Sequence, residues 1–169
     1  MGAGLKFDHQ PLLAPGRHYL DLSELQRIGV YAFAERAKRE RLYYALEELV
    51  QRFLREGIPC EMWIDGSFLT EKPEPDDIDV AVKIDLDVSE NLNASQRLLV
   101  DDANEAEYIQ GIDSFVFVSY QRGHDLYGSD LDERETWAEQ FGMEHAQVWC
   151  KGLAVLRLGE TSVGLRIRR

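Results

Sequence analysis

Residues 34–57 read AERAKRERLYYALEELVQRFLREG, and in them Leu42, Ala45, Leu46, Leu49, Val50, Phe53 and Leu54 recur three and four apart. That spacing predicts one helix over about 34–56 with a single apolar stripe. Gly57 and Pro59 end it, the first by adopting a backbone other residues avoid, the second by lacking an N–H. A stripe this long must be covered, and the chain that follows supplies short apolar runs suited to a sheet. They are CEMWI (60–64), DIDVAVKI (77–84), IDSFVFVSY (112–120) and GLAVLRLGE (152–160).

Between them, Asn91, Asn93 and Ser95 mark a turn into a helix over roughly 94–103. Another helix is predicted at about 133–141, with Trp137 and Phe141 on one face. Upstream, Asp21 or Ser23 caps a short helix near LSELQRIGV, and PLLAPGRHYL (11–20) is extended because of its prolines and glycine. Helices interleaved with apolar strands predict an α+β fold, an α/β sandwich built on a small mixed sheet with flanking helices. The 169 residues suit a single domain, with an extended N-terminal segment (1–20) and a basic tail at about 161–169.

The segment IDGSFLTEKPEPDDIDVAV (64–82) raises a chemical question. Side chains two apart on a strand share a face, so Asp77 and Asp79 project together while Ile78, Val80 and Val82 face a core. Carboxylates only ~6–7 Å apart repel unless a cation sits between them or water screens both. Mg²⁺ or Mn²⁺ suits them, being held by one or two carboxylates plus substrate phosphates. Gly66-Ser67 supplies the complement, a backbone that approaches phosphate closely and a hydroxyl donor at the start of a helical turn. Asp113 opens the third strand after Gly111, as Asp77 opens the second, and reaches the same metal if those strands are neighbours.

Gly66-Ser67, nine residues, Asp77-Ile78-Asp79 and a later strand bearing Asp113 form a pattern that resembles the polymerase-β-type nucleotidyltransferase superfamily. More closely, the chain is similar to an uncharacterised bacterial family of small nucleotidyltransferase-like domains. That likeness runs from Ala14-Pro15-Gly16 through the long helix, WIDGSFLTEKPEPDDIDVAV and GIDSFVFV to WCKGLAVLRL, most of residues 12–158. The resemblance implies transfer of a nucleotidyl group from an NTP to a hydroxyl. Asp77, Asp79 and Asp113 would bind metal, and Gly66 and Ser67 would hold the triphosphate. The acceptor would be a partner protein, an RNA end or a small molecule, in a toxin–antitoxin or defence setting. The alternative is a catalytically inactive member of the fold serving as an antitoxin or regulatory subunit. Larger members carry a further domain that grips base or acceptor. Here about fifty residues follow Asp113, which leaves specificity open.

A formal net charge of −12 argues against a surface that grips nucleic acid without sequence preference. No apolar run approaches a membrane span and no signal-peptide pattern opens the chain, so a soluble, cytoplasmic protein is expected. A hydrolytic metal centre would recruit histidines, and His124 and His145 are isolated. Cys60 and Cys150 lack ligand spacing and are read as buried free thiols. Asp65 is read as a turn former, and Lys72 and Lys83 as solvated. Arg36, Lys38, Arg39 and Arg41 are read as a solvent-facing basic patch, and Trp63, Trp137 and Trp149 as core.

Overall fold

The computed structural model describes residues 9–105, 108–127 and 151–159. The helix expected at 133–141, the tail at 161–169, His145, Trp149 and Cys150 lie outside them. The described elements run β1 (Gly16–Tyr19), α1 (Leu22–Gln26) continued by a π-helical turn (Arg27–Tyr31), α2 (Ala37–Glu56) and β2 (Cys60–Asp65). A 3₁₀ turn (Ser67–Leu69), β3 (Ile78–Asp85), α3 (Leu86–Glu90), α4 (Ala94–Ala103), β4 (Ile112–Ser119) and β5 (Gly152–Leu158) follow.

The strands form one mixed sheet in the order β1-β5-β2-β3-β4. β2 is antiparallel to both neighbours, while β4 runs parallel to β3 and β1 parallel to β5. With its flanking helices this is the α+β architecture that the pattern predicted. Leu46, Leu49 and Phe53 of α2 belong to one core with Met62, Ile64, Val80, Val82 and Leu156 of the sheet. The other face carries a smaller cluster of Trp63, Ala81, Phe117, Leu153 and Val155. Trp63 meets Phe117 edge to face at 5.3 Å between ring centroids. Apolar packing on both faces explains why β3 and β5 read as nearly unbroken apolar runs instead of alternating ones.

The local signals act as their chemistry requires. Asp21 and Glu24 cap α1 reciprocally, and Asn93 and Gln96 cap α4 the same way. Gly57 ends α2 in the left-handed region, its N–H and that of Ile58 returning to the last turn. The helix starts at Ala37, three residues later than expected, because the exposed stretch before it turns out of the π-helical segment. The proline-rich N-terminal segment is extended, but it also contributes the edge strand β1. Among the described residues, no helix is long and apolar enough to cross a membrane.

Candidate active site

Because β2 is antiparallel to β3, the end of β2 and the beginnings of β3 and β4 meet at one end of the sheet. The register there sets Asp65 opposite Asp79, and Asp79 opposite Asp113. Directly opposed residues share a face, so three carboxylates form a row across three strands. The alternate residues Ile64, Ile78 and Ile112 are buried in the α2 core. β3 and β4 are therefore the neighbours that Asp113's expected role requires. β3 starts at Ile78, and Asp77 stands exposed just before it, at the strand's mouth and not within it.

Asp65, expected in a turn, is the last residue of β2 and only 1% exposed. Burial raises its carboxyl to about 6, and the charge of Asp79 pushes the same way. Lys151 and the Gly66 N–H oppose that rise. The Lys151 ammonium lies 3.5 Å from both Asp65 oxygens, itself nearly buried just before β5. The sequence signal for Asp65 is weak: an acid before Gly-Ser reads as a turn until the strand register is known.

Gly66 has φ +82° and ψ −170°, a conformation essentially confined to glycine. A Cβ built there would lie 1.9 Å from Asp79 Oδ2. The missing side chain is thus the space in which the Asp79 carboxylate sits. Ser67 begins the 3₁₀ turn, partly exposed, and its hydroxyl has no hydrogen-bond partner among the described residues.

The loop leaving this turn is clamped from two sides. The N-terminal segment bonds it through Leu12 N–H to the Leu69 carbonyl and Glu71 N–H to the Gln10 carbonyl, both 2.8 Å. From α2, the Arg39 guanidinium donates to the carbonyls of Gly29, Phe68, Thr70 and Lys72 at 2.6–2.8 Å. It also stacks 3.6 Å from the Phe33 ring centroid. Arg39 is fully buried, which corrects its reading as part of a solvent-facing patch. Desolvation holds it down to about 10. Lys72 is likewise not simply solvated. It and Lys38 each donate to Asp76 at 2.8 Å, and those bonds hold Asp76 down at about 2.

A cleft of about 720 Å³ opens where the first turns of α2 pass the mouths of β3 and β4. Lys38, Arg41 and Leu42 line one side, and Asp76, Asp77, Gly111 and Asp113 line the other. Gly111 at φ +85° brings its loop so close to α2 that a Cβ would lie 2.6 Å from Leu42 Cδ2. Asp79, Gly66 and Ser67 are outside this lining, on the β2 side. The structure therefore groups Asp77 with Asp113 at the cleft, and Asp79 with Gly66 and Asp65 beside it.

The donors are all carboxylate oxygens, the chemistry of a hard cation such as Mg²⁺ or Mn²⁺. No group of three or more acidic, histidine or cysteine side chains is gathered closely enough to hold a metal among the described residues. A cation bound here would have to take most of its ligands from a substrate or from water.

Fold and site together define an α+β protein whose sheet ends in a carboxylate row beside a glycine-opened turn. The chain belongs to the family of unknown function DUF6932, whose model matches residues 5–157. No curated protein and no solved structure matches the chain.

Proposed function

We propose that this chain is a minimal nucleotidyltransferase, moving a nucleoside monophosphate from an NTP to an acceptor hydroxyl. The observation that carries the reading is the register that aligns Asp65, Asp79 and Asp113 beside Gly66. Asp77, Asp79 and Asp113 would hold Mg²⁺ or Mn²⁺, which when bound neutralises charge on the phosphates. Gly66 lets the backbone approach the triphosphate, and the Ser67 hydroxyl donates to it. The acceptor oxygen bonds to the α-phosphorus as the α-phosphorus–oxygen bond to the β-phosphate breaks. Pyrophosphate leaves with the electron pair, and the acceptor's proton passes to Asp113. Arg39 does not touch the reactants; it positions residues 68–72 behind the cradle. Positioning and charge neutralisation provide most of the rate in such transfers.

A second reading draws on the absence of a gathered three-carboxylate group among the described residues. In it the fold is retained without turnover, as a subunit that binds a partner protein in the manner of an antitoxin. Incubation with each radiolabelled NTP, Mg²⁺ and cell lysate separates the two. Label on an acceptor with the wild type, lost in Asp77→Ala/Asp79→Ala, supports transfer. Equal label with both proteins removes these residues from the mechanism. No label with any NTP, together with capture of a stable protein partner, supports the silent subunit.

A further inference from the structure

The cleft beside the carboxylate row has a built polarity that the transfer reading leaves unused. Lys38 and Arg41 are three apart on α2, so they stand on one face of the helix, opposite Asp77 and Asp113. Asp76 is held between Lys38 and Lys72. The Arg41 guanidinium is exposed and has no partner among the described residues. The positive charge of the cleft is concentrated on the α2 wall, and a divalent ion compensating Asp77 and Asp113 would leave the cleft positive overall. A planar guanidinium beside an ammonium is suited to a phosphate group.

Position also matters. Asp79 leans to Gly66 on one side of the row, and the cleft opens on the other. In-line displacement needs the attacking oxygen and the leaving pyrophosphate on opposite sides of the phosphorus. Under the transfer reading, a triphosphate on the Gly66 side would put the attacking hydroxyl in the cleft. A volume of about 720 Å³ is that of a small-molecule site. The net charge of −12 disfavours a long polyanion there.

We infer that the acceptor is a small phosphorylated molecule, its phosphate held by Arg41 and Lys38 and its hydroxyl presented at Asp77 and Asp113. The inference takes its chemistry from the transfer reading, but the phosphate binding it requires is measurable without any NTP.

Calorimetry with ribose 5-phosphate and with ribose, in Mg²⁺ at low ionic strength, tests it. The wild type is expected to bind the phosphate ester and not the free sugar. Arg41→Ala weakens that binding about tenfold, the scale of one charge-assisted contact. Asp76→Asn tightens it several-fold, because Lys38 loses its carboxylate partner; an unfolded variant cannot give that result. Equal binding by wild type and Arg41→Ala overturns the inference. So does weaker binding by Asp76→Asn, or binding of an RNA oligonucleotide in place of ribose 5-phosphate. Phosphate binding with this mutational pattern, but no transfer to any acceptor, overturns the transfer reading and leaves the site standing. Transfer at the wild-type rate by Arg41→Ala overturns the site and leaves the transfer reading standing.

Discussion

Replacing Arg39 with methionine is expected to be milder than replacing it with lysine, against the usual ranking of conservative changes. The fall of Arg39 from 12.5 to about 10 means that burying its charge costs about 3 kcal/mol. Four backbone carbonyls accept from it, and orphaning each costs about 1 kcal/mol at the low end. Methionine forfeits roughly 4 kcal/mol at the carbonyls and about 1 kcal/mol of stacking on Phe33. It regains most of the desolvation cost, for a net loss of about 2 kcal/mol. Lysine regains none, since an ammonium is more strongly hydrated than a guanidinium. Its one nitrogen offers three donors where two guanidinium nitrogens now serve two carbonyls each. At least one carbonyl and the planar stack are lost while a more strongly hydrated charge stays buried, a loss of more than about 2 kcal/mol. Urea denaturation of the three proteins measures this; by calorimetry, each kcal/mol corresponds to ~2–4 °C in Tm for a domain of this size. A lysine variant as stable as wild type, or more stable than the methionine variant, refutes the reasoning.

Gly66→Ala forces a side chain into a glycine-only conformation and onto Asp79 Oδ2, so a loss of about 2 kcal/mol in stability and of Mg²⁺-dependent nucleotide binding is expected; unchanged calorimetric affinity would show that the cradle is irrelevant. Asp65 binds a proton more tightly in the folded chain than in the unfolded one, so its contribution to stability is complete below pH 3.8 and is lost as pH rises through about 6. In metal-free protein, the stability of wild type relative to Asp65→Asn should fall by about 2 kcal/mol between pH 4 and 7, and a flat difference in urea midpoints contradicts the burial argument. Burial also pushes the Cys60 thiol up, and the native protein should resist alkylation there at pH 8 while the urea-unfolded chain reacts, as peptide mass spectrometry would report.

The parts of the fold legible in the sequence are those specified by local spacing. The stripe of α2, the apolar runs of β2 to β5 and the caps of α1 and α4 each depend on residues within a few positions of one another. β1 escaped because its glycine and the prolines before it show that the chain is extended but not that β5, over a hundred residues later, receives it as a parallel partner. Asp65 escaped for the same reason: nothing near it distinguishes a turn acid from the end of a buried strand, and its place in the row follows from a register between strands. Arg39 is different, because its signal was present. It lies three residues before Leu42 and seven before Leu46, on the apolar stripe itself, and only its membership of a charged run disguised that position. A cation on an apolar stripe must find acceptors inside, and the nearest backbone with carbonyls to spare is the irregular loop behind Gly66. That loop stays irregular for a functional reason under the transfer reading: a regular strand would leave no backbone free to face a phosphate. The buried arginine and the glycine-only turn are therefore two parts of one device, the first holding in place a loop that the second opens toward Asp79.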